Sequence, residues 1–567
     1  MNIGSMLNAY PDSMGGTLDD IADFLRKPEL EGTFTSCYIL PSLFHTDLDR
    51  GFSVIDYSLN KMLASKAALD KLESLGIDLK LDFILNHASV LSGQFQDIIE
   101  NGDKSKYRDF FIDWNKFWDG CGEMTEEGYI QPEEKYLKDM FFRKPGLPIL
   151  MVRFPDGKDV PYWNTFYQEV NYRTVTAQDL MKAAGLQYTE ALSLAEAMDE
   201  GTSEGKKPQE IMRDKETAYV TKFLSEEQIQ KICDYMENGR RYLGQMDLNI
   251  KSPLVWEYYD DVLKTLAGYG AKIVRLDAFA YAPKEPGEKN FLNEPGTWEL
   301  LEKVRKLADK YNLTLLPEIH ASYSEKNYAQ IAEKGYMTYD FFLPGLIIDA
   351  LEFQNGDRLA CWAEELVEKN IRTVNMLGCH DGIPLLDLKG LLPEERIQNL
   401  IDIVVARGGY VKDLHGQKNM YYQVNATYYS ALGEDERKML LARALQLFMP
   451  GKPQIWYLDL FVGANDHEAV KRAGAGGHKE INRTNLTVEQ MEAGLQRPVV
   501  KRQLDLLRFR NSCLAFSYES SISVRSEGNN IEFIWRNAGY KASLDANLKD
   551  YSFRITETNP KGEVKEL

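Results

Sequence analysis

Apolar runs of strand length alternate with stretches in which apolar residues recur every three to four positions. In the first 90 residues the order is SMLNAYPDS, LDDIADFLRKPEL, FTSCYILPSLF, SKAALDKLESLG and LKLDFILNH. Short runs predict strands and the periodic stretches predict amphipathic helices, so this βαβα order predicts a parallel sheet with right-handed crossovers. The rhythm returns at PLVWEYYDDVLKTLAGYGAKIVRLDAFAY and continues through TWELLEKVRKLADKYNLTLLPEIHAS, AQIAEKGYMTYDFFLP, ACWAEELVEKNIRTVNMLGCH and MLLARALQLFMPGKPQIWYLDLF. Leu301, Val304 and Leu307 share one face of the helix in LEKVRKLADKY. Eight strand candidates in this order predict an α/β fold, a (β/α)8 TIM barrel.

Two stretches break the rhythm. Residues 88–245 are rich in aromatic and charged positions and predict a lobe, lobe B, inserted after the third strand, with an extra helical insert at about 167–244. The second break, 383–433, predicts a lobe B′ carrying a Gly- and Tyr-rich substrate loop, ARGGYVKDLHGQKNMYYQVNATYYSALG. The barrel then comprises 1–87, 246–382 and 434–511, and alternation over 512–567 predicts a small C-terminal β domain.

Four strand candidates end in titratable residues: His87 in LKLDFILNH, Arg275 and Asp277 in VRLDAFAY, Glu318 in LLPEIH, and His380 and Asp381 in NMLGCHDG. In a parallel barrel such side chains meet only at the carboxyl ends of the strands. An Arg and an Asp two apart on one strand are ordinarily a plain ion pair, and a single His such as His87, His320 or His415 is ordinarily a core or loop residue. The loop aromatics Tyr421 and Tyr422 fit simple packing as well as sugar contact. Ordered carboxylates on successive strand ends shift the reading toward glycosidic chemistry, in which an ionised nucleophile and a protonated acid stand about 5–5.5 Å apart for retention. Asp277 would be the nucleophile, kept ionised by Arg275 on the same strand face, and Glu318 the acid, its pKa raised by apolar Pro317 and Ile319. Asp381 would stabilise positive charge on the sugar in the transition state. This chemistry needs no metal and no cofactor.

Composition narrows the partners. With 67 Lys and Arg against 86 Asp and Glu, the formal charge of −19 excludes broad nucleic-acid or anionic-membrane surfaces, so an anionic substrate must meet local positive groups. The six cysteines lie far apart with no CxxC spacing, and no apolar run is long enough to span a bilayer; a cytoplasmic protein is expected.

The motifs LNAYPDSMGG, DRGFSVIDY, LDFILNHAS, VRLDAFAYAPKEPG, LLPEIH, HDGIP, YYQVNATYYSALG and KEINRTNLT, with RPVVK downstream, resemble the sucrose phosphorylase branch of the α-amylase superfamily, glycoside hydrolase family 13, sucrose 6-phosphate phosphorylases included. The resemblance implies Asp277 as nucleophile, Glu318 as general acid/base and Asp381 as transition-state stabiliser. It implies a donor subsite of Asp49, Phe52, His87, Phe166, Gln245, Arg275, His380 and Arg483, and an acceptor side of Tyr281, His320, Tyr422 and Gln423. Arg143 and Lys144 match the region that supplies a phosphate-binding Arg. The implied reaction turns sucrose and phosphate into α-glucose 1-phosphate and fructose by double displacement. Sucrose 6-phosphate, or another glucoside of the glucosylglycerol type, is the alternative substrate, and a hydrolase or transglucosylase a more distant one. A homodimer is a possible assembly.

The chain departs from the pattern in three places. Met420 stands where sucrose phosphorylases commonly place an Asp, and Met cannot hydrogen-bond fructose as a carboxylate does. Arg143 and Lys144, with GCHDGIP and ARGG, look closer to the sucrose 6-phosphate branch, yet Tyr422 stands where that branch usually has a His. The long insert after Phe166 is the third departure.

Overall fold

The structure is a computed structural model that describes residues 3–143, 146–215, 217–413, 421–474 and 476–567. Eight parallel strands form its centre: β1 (Met6–Ala9), β2 (Ser36–Ile39), β3 (Asp78–Ile84), β4 (Ala271–Asp277), β5 (Thr314–Pro317), β6 (Thr338–Asp340), β7 (Thr373–Met376) and β8 (Lys452–Trp456). Sequence neighbours pair except β5 and β6, which close the gap by lying side by side, and β8 pairs back onto β1, so the sheet comes round into a nearly closed barrel. All eight are the runs expected from the apolar pattern.

The crossover helices follow their local signals. Thr17 forms a capping box with Asp20 ahead of Leu18–Leu25, and the Ser65 side chain accepts from Ala68 N ahead of Lys66–Ser74. In Gly296–Asp309, Leu301 and Val304 are buried against the sheet and Leu307 packs beside them. Inside the barrel Lys80 is wholly buried, with Nζ 2.7 Å from Gln454 Oε1 and 3.7 Å from the Tyr38 ring centre. Burial, aided by the nearby Arg275 charge, holds this amine well below the ordinary lysine range.

After β3 the chain leaves the barrel. His87–Ser89 pairs with Arg240–Asp247, which also pairs with Gln168–Tyr172, forming one three-stranded sheet. From the far end of Gln168–Tyr172 rise the helices Ala177–Ala184, Tyr188–Ser203, Pro208–Arg213, Ala218–Thr221 and Glu226–Glu237. They enclose their own core of Leu180, Leu194, Met198, Ile211, Ile232 and Met236, separate from the main one. The insert is thus helical and hangs from a two-strand stalk.

The second interruption holds more regular structure than a loop. The helix Glu394–Ala406, with Ile397, Leu400, Ile401 and Val404 inward, precedes the hairpin strands Tyr410–Asp413 and Tyr421–Asn425. Five antiparallel strands between Ser521 and Glu566 make the C-terminal sheet. Among the described residues no helix is long and apolar enough to cross a membrane.

Candidate active site

Strand register builds the site. Arg275 on β4 aligns with Asp82 on β3 and Leu316 on β5, and the backbone N of Glu318 donates to Leu276 O at 3.2 Å. Asp277 and Glu318 therefore leave adjacent strand ends at the same height. Immediately after Asp277, Ala278 takes a left-handed φ of 52°, a conformation uncommon for a non-glycine residue, and the chain turns there into the single-turn helix Phe279–Tyr281.

One buried guanidinium ties the carboxylates together. Arg275 Nη1 lies 2.7 Å from Asp82 Oδ1 and 2.8 Å from Asp277 Oδ1, and Nη2 lies 3.7 Å from Glu318 Oε1. Glu318 Oε1 also meets His320 Nε2 at 3.2 Å, and His320 Nδ1 meets Asp387 Oδ2 at 3.2 Å. Burial alone would lower the His320 pKa, but its hydrogen bonds to Asp387 and Glu318 push it up to about 10.

The protonation pattern corrects the sequence expectation. Neighbours along an extended chain point to opposite faces, so the Glu318 carboxyl meets Arg275 and His320 rather than Pro317 and Ile319. Burial pushes Glu318 up, yet those cations outweigh it and hold the group at about 2. Burial lifts Asp277 to about 7 against the pull of Arg275, whose charge it shares with Glu318 and Asp82.

Asp381 follows β7. Its Oδ1 is 2.5 Å from Lys479 Nζ and its Oδ2 is 3.5 Å from His380 Nε2. Burial would raise this carboxyl, but the Lys479 and Arg483 charges hold it well below the usual range. The His380 ring stacks on Phe52 at 5.0 Å and 15°, and burial keeps the imidazole neutral. Arg483 Nε donates to His380 O at 2.9 Å. Arg50, its neighbour through a 3.0 Å bond to Arg483 O, is one of three consecutive left-handed residues, Asp49, Arg50 and Gly51. A side chain at Gly51 would meet Ser42 N at 2.3 Å, so the turn that presents Asp49 requires glycine there. Asp49 lies close enough to Arg483 and Lys479 to strengthen the basicity of both.

His87 Nε2 and Gln245 Nε2 each lie 3.0 Å from Phe52 O, so both fix the Phe52 platform. Phe166 packs beside His87 at 4.9 Å and beside Tyr281 at 5.3 Å. Arg143 lies over the Phe166 ring at 5.0 Å and donates to Tyr281 Oη at 3.0 Å. Gln423 accepts from Gly382 N at 3.1 Å. Tyr422 sits on the hairpin strand Tyr421–Asn425, while Lys144, His415 and Met420 lie outside the described residues. Among the described residues, Arg483 Nη2, His380 Nδ1 and Gln423 Nε2 are buried with no protein partner, the pattern of donors and acceptors that ring hydroxyls can satisfy.

Three residues escape the sequence reading. Lys479 sits four before Arg483 in KEINR, and the single tight helical turn between them is the signal that brings both to the same site. Asp82, a charge within an apolar strand, is marked by its alignment with Arg275. Asp387 carries no comparable signal, since its partner is brought in from another loop.

A parallel barrel with carboxylates gathered at the ends of β4, β5 and β7 and a lobe after the third strand defines the class: an enzyme of the α-amylase superfamily. The chain is 47% identical over 560 residues, covering 97% of its own length and 95% of the relative, to a sucrose 6(F)-phosphate phosphorylase of Ilumatobacter coccineus. It is 29% identical to a sucrose phosphorylase of Streptococcus mutans, covering 98% of each chain. The crystal structure of the sucrose 6F-phosphate phosphorylase from Thermoanaerobacter thermosaccharolyticum matches with a TM-score of 0.80 at 30% identity, covering 100% of this chain and 98% of that one. No family model matches. The chain belongs to the sucrose phosphorylase branch of the superfamily, the one that includes the sucrose 6(F)-phosphate phosphorylases.

Proposed function

We propose that this chain is a retaining phosphorylase of sucrose-type α-glucosides, releasing α-D-glucose 1-phosphate. The observation that carries the reading is the single guanidinium of Arg275 bridging Asp277 and Glu318 on adjacent strand ends. In the first half-reaction Asp277 attacks C1 of the glucosyl unit and Glu318 gives a proton to the leaving oxygen. Asp381, kept ionised by Lys479, faces the positive charge that develops on the ring. In the second half-reaction a phosphate oxygen displaces Asp277 from C1, with retention overall.

Phosphate rather than water resolves the ester when the acceptor side offers fixed positive charge. Arg143 supplies it in a protein of net charge −19. The same charge favours sucrose 6F-phosphate over sucrose as the substrate, in keeping with the phosphate in the names of two of the relatives. Release of fructose 6-phosphate would leave a sugar phosphate beside Arg143. All six cysteines are unpaired, which supports a cytoplasmic, reducing setting.

The test is glucose 1-phosphate release from sucrose and from sucrose 6F-phosphate, each with and without inorganic phosphate. Phosphate-dependent release, at higher kcat/KM from the phosphorylated sugar, is expected. Free glucose at equal rates without phosphate would make the chain a hydrolase.

A further inference from the structure

Asp387 lies in the short helix Leu385–Leu388, six residues beyond Asp381, and takes no part in the chemistry above. Its Oδ2 stands 3.2 Å from His320 Nδ1, while His320 Nε2 stands 3.2 Å from Glu318 Oε1. Asp387 is buried, the His320 and Glu318 side chains are only 8% and 13% exposed, and the imidazole lies flat on Phe341 at 3.8 Å and 22°. A carboxylate on one ring nitrogen fixes which way an imidazole faces and favours its charged form, and the stacked ring prevents rotation.

We propose that Asp387 is a positioning residue for the acid/base step: it holds His320 with Nε2–H aimed at Glu318, so that His320 replenishes the proton Glu318 gives to the leaving oxygen. The inference rests on the phosphorylase reading and gives Glu318 a proton source in direct contact, His320 Nε2 at 3.2 Å. His320 passes its Nε2 proton to the ionised Glu318, and as the C1–oxygen bond breaks and the Asp277 carboxylate forms the ester that proton goes to the leaving sugar, leaving Glu318 ionised and His320 neutral. When a phosphate oxygen bonds C1 and the ester bond returns its electron pair to Asp277, the proton of hydrogen phosphate passes through Glu318 to His320. The sugar gains one proton and phosphate loses one.

Other charges bear on this line. Arg275 and Asp381 act on Glu318, and Glu325 acts on Asp387 from the loop after β5. None of them contacts His320 as closely as Glu318 and Asp387 do.

The experiment compares Asp387→Asn with wild type on two donors, sucrose 6F-phosphate and α-D-glucosyl fluoride, each with inorganic phosphate. Fluoride departs without protonation. The variant should lose about 50-fold in kcat on the sugar phosphate and within about threefold on the fluoride, the scale of a lost acid contribution. The alkaline limb of its pH profile should move toward acid by about one unit or more, because His320, cationic up to about 10 in wild type, sheds its proton earlier without the Asp387 charge. His320→Gln should show the same donor dependence, and adding Asp387→Asn to it should cost nothing further. Equal losses on both donors, an unmoved alkaline limb or full additivity would overturn the proposal. Should Asp387→Asn not fold, Asp387→Glu gives the same two readouts. Wild-type enzyme that makes no glucose 1-phosphate from either donor overturns the phosphorylase reading, and this role with it.

Discussion

The two halves of the site are built differently. The glucosyl half takes Arg275, Asp277, Glu318, His380 and Asp381 from the ends of β4, β5 and β7, where strand hydrogen bonds set the height of each residue. The acceptor half takes Arg143 from the inserted lobe, Tyr281 from the turn after β4, His320 from the loop after β5 and Gln423 from a hairpin. These are placed by ring packing and single side-chain bonds. Ladders fix chemistry, and loops fix which substrate receives it. Mutations in the first half should therefore destroy turnover, while mutations in the second should redirect it.

The sharpest break of that contrast is Asp277→Asn. Without a nucleophile no glucosyl ester forms, and kcat should fall by about 10⁴-fold or more on every donor. Turnover within tenfold of wild type would remove Asp277 from its role. Glu318→Gln comes next: loss should be about 10²–10³-fold on sucrose-type donors and much smaller on glucosyl fluoride, with azide restoring part of the rate. Wild-type rates on the sugar would refute the acid assignment. Both losses should be independent of whether the leaving fructose carries phosphate.

The same contrast explains what the sequence reveals. Every barrel strand is legible because apolar runs of strand length stand between amphipathic helices, and Asp277 and Glu318 are legible because a strand end in a parallel barrel has one destination. Their proton is not legible: whether Pro317 or His320 faces Glu318 depends on which side of the turn a side chain emerges. Asp387 and Lys479 are hidden for a related reason, since their partners come from different loops. The helix Glu394–Ala406 has the apolar spacing of a helix, but the Gly- and Tyr-rich stretch after it dominates the composition of that region.

Arg143→Gln tests the acceptor half directly. The guanidinium holds Tyr281 Oη and adds positive charge where a sugar phosphate would sit. A lost charge-assisted hydrogen bond, worth about 1.5–3 kcal/mol, should raise KM for sucrose 6F-phosphate by about 10- to 100-fold. KM for sucrose should change by about twofold or less, since surface-level charge has no partner on that sugar. Equal rises for both sugars would assign Arg143 to the attacking phosphate or to holding Tyr281, and remove it from recognition of the leaving sugar.

The smallest catalytic effect is expected in the helical insert. Its core is separate from that of the barrel, and its stalk ends at Gln245, whose side chain braces Phe52. Ile232→Ala removes a fully buried side chain from that core and should destabilise the insert by about 2–5 kcal/mol. Faster amide exchange should appear in Ala177–Glu237 and stop at Arg240–Asp247, because that strand is held on its other edge by His87–Ser89. Turnover should remain within about twofold, since no catalytic carboxylate touches the insert. A selective rise in KM for the leaving sugar would instead make the insert part of the acceptor wall, and exchange spreading through Gln245 into Phe52 would show the route by which the two halves of the site are coupled.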